Sequence, residues 1–192
     1  LIREESNMKG ISLRKISLLF VVICLMMSSL CSAGSLSMDE LSLGGIQLGE
    51  SRSNVDAMYG DPTSWQAGGV FCWYGDGSVK IRYHAENWRV QGISNSENNG
   101  FTLGSTGIHV GDDVSVLDSL SYASPKVTYQ KALYPGDTIP GIPWPAGEVT
   151  SYQAPFYTYS YDGADDNSVL SINVSADDNT ITSIGISTYF PR

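Results

Sequence analysis

Along residues 78–94, "SVKIRYHAENWRVQGIS", apolar Val79, Ile81 and Tyr83 alternate with Lys80, Arg82 and His84. A period of two is that of a strand with one buried and one open face. The polar "AEN" predicts a turn, and Val90–Ile93 a returning strand. The pattern recurs in "VLSINVSADDNTITSIGIS", residues 169–187, where Leu170, Ile172 and Val174 alternate with Ser171, Asn173 and Ser175. "ADDN" predicts its turn and Ile181–Ile186 its return. One further strand is expected upstream of each hairpin, in "VFCWYG" and in "PFYTYSYDG".

The segments ahead of these hairpins also echo each other. "GGIQLGESRSNVDAMYGDP", residues 44–62, is repeated in blurred form as "TGIHVGDDVSVLDSLSYASP", residues 106–125. Gly45, Leu48, Gly49, Val55, Tyr59, Gly60 and Pro62 mark the first copy; Gly107, Val110, Gly111, Leu117 and Pro125 mark the second. An apolar-x-apolar-Gly run predicts a short extended entry ending in a turn. Ser51 and Asp113 then have the side-chain oxygen that caps a helix start. Val55, Met58 and Tyr59, and later Val114, Leu117 and Leu120, have the spacing of one helix face. Gly60 predicts a left-handed cap for the first helix. The second copy lacks that glycine, so a less regular helix end is expected.

Each unit thus reads as short strand, helix, and three-strand meander. The expected fold class is α+β: two tandem units, each a helical segment packed on a three- to four-stranded antiparallel meander. The expected boundaries are a leader at 1–33, a first unit at 34–100 and a second at 101–192. The second unit carries an insert at 126–155, rich in proline and in aromatics (Tyr129, Tyr134, Trp144, Tyr152). A long irregular stretch of this kind suits a binding loop or a cover over its own sheet.

The leader changes the picture of compartment. Met8 is a plausible start, Lys9, Arg14 and Lys15 form a basic region, residues 16–30 are almost wholly apolar, and "CSA" ends at Ala33. These are the three parts of a secretory signal peptide, with cleavage expected after Ala33. A retained anchor is the alternative, though the apolar run is shorter than the ~20 residues a spanning helix needs. A bulky Leu30 before Cys31 disfavours a lipoprotein. The expected location is periplasmic or extracellular, with no membrane span after cleavage.

The leader takes four basic and two acidic residues with it. Seven basic then stand against eighteen acidic, a net charge of −11 where the whole chain has −9. Such a surface excludes nucleic acid as a partner, because phosphate binding needs clustered Lys and Arg. It favours solubility, and a basic surface on any protein partner. Cys72 is left as a single cysteine, so no internal disulfide is expected, and its apolar surroundings predict a buried, inert thiol.

Candidate chemistry is sparse. His84 and His109 fall in different units and make no ligand spacing. "DGADDN", residues 162–167, lacks the alternating acidic ladder and closing Glu of a calcium loop, and reads as a hairpin turn. No catalytic residue, metal site or cofactor is expected, and an enzyme is not.

The doubled "GI.LG.S...V...YG.P" followed by a meander resembles the SmpA/OmlA (BamE-like) unit of bacterial envelope proteins; in tandem it is similar to the β-lactamase-inhibitor proteins. That resemblance implies an exported, non-enzymatic protein-binding module of the cell envelope. It also admits a scaffold subunit of an envelope-assembly complex, and a secreted enzyme inhibitor. The chain departs from these families in lacking a lipobox and intra-unit cysteine pairs. The partner-binding residues expected outward or at the rim of the sheet face opposite the helices are Trp73, Arg82, His84, Trp88, Tyr157 and Tyr159, with Tyr134 and Trp144 from the insert; "VFCWY" is apolar throughout, which leaves Trp73 open between this face and the core. Tyr, Trp and Arg commonly carry interface energy.

Overall fold

The computed structural model describes residues 34–138 and 148–188. The leader with its cleavage site, and Trp144 in the insert, lie outside the described residues. The described residues are mostly β.

The entry segments fold as tight pairs of two-residue strands, β1 (Ser42–Leu43) with β2 (Ile46–Gln47), and β7 (Thr102–Leu103) with β8 (Ile108–His109). Gly44 and Gly45 make the first turn at φ 60° and 82°, where a side chain would be strained. β1 pairs β7, giving a small four-stranded sheet in the order β2-β1-β7-β8.

The larger sheet collects the alternating segments. Its strands are β3 (Ser64–Gln66), β4 (Phe71–Tyr74), β5 (Val79–Tyr83), β6 (Val90–Asn95), β9 (Lys126–Gln130), β10 (Phe156–Asp162), β11 (Ser168–Ser175) and β12 (Ile181–Thr188). The order is β3-β4-β5-β6-β12-β11-β10-β9, all antiparallel. One face is the core: Cys72, Tyr74, Val79, Ile81, Tyr83, Ile93, Leu170, Ile172, Val174, Ile184 and Ile186 are almost wholly buried there. They pack in one cluster with Leu43, Ile46, Leu103 and Ile108 of the small sheet and with Val55, Leu117 and Leu120. Burial of these apolar side chains, at about 25 cal/mol per Å², is what holds the two sheets together.

Two helical segments share the core side. α1 (Arg52–Tyr59) begins at Ser51, whose side chain accepts the Asn54 N–H, and ends at Gly60 with φ 79°. Its counterpart, Val114–Leu120, begins at Asp113, which accepts the Ser115 N–H, but is a 3-10 turn series rather than an α-helix. The reasons are local. No left-handed glycine closes it, since Ser121 stays right-handed, and β-branched Val114 and Val116 are stiff in a helix.

The repeat is real at the level of hydrogen bonds. Gly49 N–H donates to Val90 O, as Gly111 does to Ile181 O. Val90 N–H donates to Glu50 O, as Ile181 does to Asp112 O. Two separate helix-on-meander units are nevertheless not what forms, and the α+β expectation is overturned. β6 pairs β12 from Gly92↔Ser187 to Asn95↔Ile184, so the two meanders are halves of one sheet. A meander left alone would expose an open edge and half a core. Pairing edge to edge satisfies both halves at once.

The described parts of the insert carry regular strand pairing. Residues 126–130 are strand β9, paired to β10. Beyond it, the bridges Leu133↔Gln153 and Thr138↔Glu148 hold an antiparallel arm, with Leu133 and Val149 buried.

Candidate binding face

The face of the large sheet turned away from the core is open, and the pleat decides what stands on it. Lys80 and Arg82 alternate with buried Val79, Ile81 and Tyr83. Across the ladder, Trp73 is opposite Lys80, and Phe71 opposite Arg82. On the other side, Gly92 faces Arg82 and Ser94 faces Lys80. Gly185 then pairs Ser94 and Ser187 pairs Gly92, with Ser171 beyond Gly185.

The result is a groove of about 270 Å³ lined by Phe71, Lys80, Arg82, Gly92, Gly185 and Ser187, among others. Its floor is glycine and serine at the β6–β12 seam. Its wall is aromatic and cationic. Lys80 Nζ lies 5.1 Å from the Phe71 ring centre and 5.2 Å from that of Trp73, within cation–π range. Arg82 Nη2 donates to Gln91 O at 3.2 Å. Partial burial lowers the Arg82 guanidinium from its ordinary value. Glycine inside a strand commonly marks the close approach of another chain or a ligand. At Gly92 and Gly185 an added Cβ would meet nothing nearer than 3.5 Å and 3.7 Å, so packing does not demand glycine there.

Of the residues expected at a partner-binding face, the structure brings Trp73 and Arg82 together in this groove region. "VFCWY" is apolar throughout, yet Cys72 and Tyr74 point into the core while Phe71 and Trp73 take the open face. His84 closes the β5–β6 turn: its Nδ1 accepts the Glu86 N–H and its carbonyl the Trp88 N–H.

Three other residues are corrected. Tyr159 is on the core side, paired with Ile172 and packed against the hydrophobic cluster. Tyr157 pairs Val174 on that same side, at the sheet's margin, where it stacks on Tyr129 at 5.1 Å. Trp88 stands beside α1, with the Arg52 guanidinium 5.4 Å from its ring. Tyr134 lies on the arm, exposed, against Tyr152 at 5.3 Å. Sequence reasoning missed Phe71, Lys80, Gly92 and Gly185. The signal was there in the strand alternation and in two glycines inside strands.

Several polar groups elsewhere serve the fold. Tyr74 OH donates to Asp56 Oδ1 at 2.7 Å and lies 2.8 Å from Tyr83 OH, a buried chain linking α1 to the sheet. Asp165 accepts from Ser168 Oγ and from the Asn167 and Ser168 N–H groups, which uses the "DGADDN" carboxylate to close a hairpin. His109 Nδ1 lies 2.9 Å from Asp112 Oδ2. Cys72 is buried, donates to Gly69 O, and burial pushes its thiol up, away from reactivity. Among the described residues, no helix is long and apolar enough to cross a membrane, and no three His, Cys, Asp or Glu side chains cluster as metal ligands do.

No family model and no curated protein matches the chain. Among solved structures it is similar to a DUF4309 family protein, YjgB, from Bacillus subtilis subsp. subtilis str. 168. The identity is 16%, over 76% of this chain and 83% of that one, with a TM-score of 0.43. The resemblance to SmpA/OmlA (BamE-like) and β-lactamase-inhibitor units is corrected by the topology: both meanders are halves of one eight-stranded sheet, beside a small four-stranded one, and not two helix-on-meander repeats. The glycines and apolar positions behind it serve tight turns and a core, which many folds need.

Proposed function

We propose that this chain is an exported, non-enzymatic binding module, and that its ligand face is the open face of the large sheet. The supporting observation is the groove at the seam of the two halves. A floor of glycine and serine lies beside a wall of Phe71, Lys80 and Arg82, with the Trp73 ring against Lys80 next to it. The ligand is a protein segment laid on glycine and serine, with an apolar side chain against the aromatics and a carboxylate near Lys80 and Arg82. Charge-assisted hydrogen bonds to that carboxylate would be the strongest single contacts. The acidic balance of the whole chain favours a basic partner; this groove reverses that preference locally, because two of the few cations line it. Export follows from the leader sequence.

The test is retention of protein partners from native envelope or culture medium on immobilised wild type, K80A/R82A and Gly185→Phe. The double variant removes the cations, and Gly185→Phe fills the floor without entering the core. Loss of the same partner in both, with unchanged thermal melting, supports the reading. Unchanged retention in both overturns it.

A further inference from the structure

The large sheet ends in an edge that its own pattern leaves open. β9 is exposed along its length, with Val127 49% and Tyr129 58% accessible. Which of its backbone groups point outward follows from the register. Ala176 N–H donates to Pro155 O at one end of the β10–β11 ladder, and Gly163 N–H to Ser168 O at the other. In an antiparallel ladder hydrogen-bonded pairs alternate. The odd-numbered residues of β10 therefore bond β11, and the even-numbered ones bond β9. Phe156, Thr158 and Ser160 are paired with Gln130, Thr128 and Lys126. The N–H and C=O groups of Val127 and Tyr129 are thus directed out of the sheet.

We propose that this edge pairs with the same edge of a second copy of the chain, antiparallel about a two-fold axis through Thr128. That register alone places each outward-directed residue against another: Val127 meets the second copy's Tyr129, and Tyr129 its Val127. The two hydrogen-bonded pairs exchange all of the outward groups. Thr128 lies against Thr128 as a close, non-hydrogen-bonded pair, and Lys126 against Gln130, so no like charges are directly opposed. The side-chain rows match as well. Tyr157 already stacks on Tyr129, and Val127 sits opposite Tyr159. Pairing extends this to a row of Tyr157, Tyr129, Val127 and Tyr159 running across the seam. Aromatic beside β-branched is a favourable cross-strand pair, and Thr–Thr is another. Edges that must stay single usually carry bulges, prolines or inward charges. The β9–β10 register runs unbroken, and no residue from Lys126 to Gln130 is a proline. The opposite edge, β3, is only three residues long.

The register makes the test specific. In the full chain with Cys24 and Cys31 changed to serine, Thr128→Cys places two thiols across the axis and should give a disulfide-linked dimer on mild oxidation. Lys126→Cys faces Gln130 of the second copy and should not. Val127→Pro removes one outward donor while the internal ladder, carried by even-numbered residues, stays intact. It should shift the sedimentation profile from dimer to monomer with little change in melting. A wild type that remains monomeric at high concentration, with no cross-link at position 128, overturns the proposal. Cross-linking equal at 126 and 128, or a dimer untouched by Val127→Pro when that variant folds, also overturns it, and places the contact on another surface. Should Val127→Pro fail to fold, the contrast between positions 128 and 126 decides alone.

Discussion

Trp88 and Asn179 stand at the same point in the two halves of the chain, both left-handed, at φ 55° and 59°. Each donates its N–H four residues back, Trp88 to His84 and Asn179 to Ser175. Each also offers its carbonyl to the start of a helical segment, at Arg52 and at Val114. Asparagine is at ease in this region, whereas a bulky aromatic is a rare occupant. Tryptophan is kept there by its ring, which packs under the Arg52 guanidinium.

Two substitutions separate ring from backbone. Trp88→Ala and Trp88→Asn lose the same packing, but only asparagine suits the left-handed turn. Trp88→Asn should therefore be more stable than Trp88→Ala by about 0.5–1 kcal/mol in urea unfolding. Equal stability of the two would mean that the backbone relaxes out of the left-handed region.

Val55 on α1 and Ile81 on β5 are both fully buried in the one core. Val55→Asp or Ile81→Asp should cost about 3–5 kcal/mol, the price of an uncompensated buried charge. Because the core is shared, loss of the first half should bring down the second. A single unfolding transition monitored in both halves is expected; two separated transitions would restore the picture of independent units.

Alkaline pH probes the buried tyrosines. Burial, the largest cause in each case, pushes Tyr83 and Tyr161 from 10.0 up to about 12, and Tyr74 higher still. These groups stay protonated in the folded state at pH values where the unfolded chain has already released its protons. The stability they contribute is complete below the unfolded value and is lost as pH rises from 10 through about 12. Chemical unfolding across that window should show a steep fall, shallower in Tyr83→Phe. A fall of the same steepness in Tyr83→Phe would remove Tyr83 from the account.

Short-range order was legible in the sequence. The alternation in β5 and β11, the caps at Ser51 and Asp113, and the glycine stop at Gly60 all rest on neighbours a few residues apart. What joins the halves was not legible. The β6–β12 pairing links residues far apart in sequence, and nothing in Val90–Asn95 distinguishes a central strand from an edge one. β9 was hidden because proline-rich surroundings mask a five-residue strand. The face of β10 was misjudged for a chemical reason. Tyr157, Tyr159 and Tyr161 alternate with Thr158 and Ser160, but tyrosine suits a buried face and a wet one alike. Lys80 and Phe71 were missed as a pair because their contact exists only across the β4–β5 ladder.

The proposed ligand face is tested most directly by a photo-reactive residue placed on its floor. At Ser94, between Lys80 and Gly185 on the open face, irradiation in native cells and their medium should yield a discrete cross-linked adduct with a partner protein. The same residue at Met58, exposed on α1 across the core, should yield none. Adducts from Met58 and not from Ser94 would contradict the account and assign binding to the helical side.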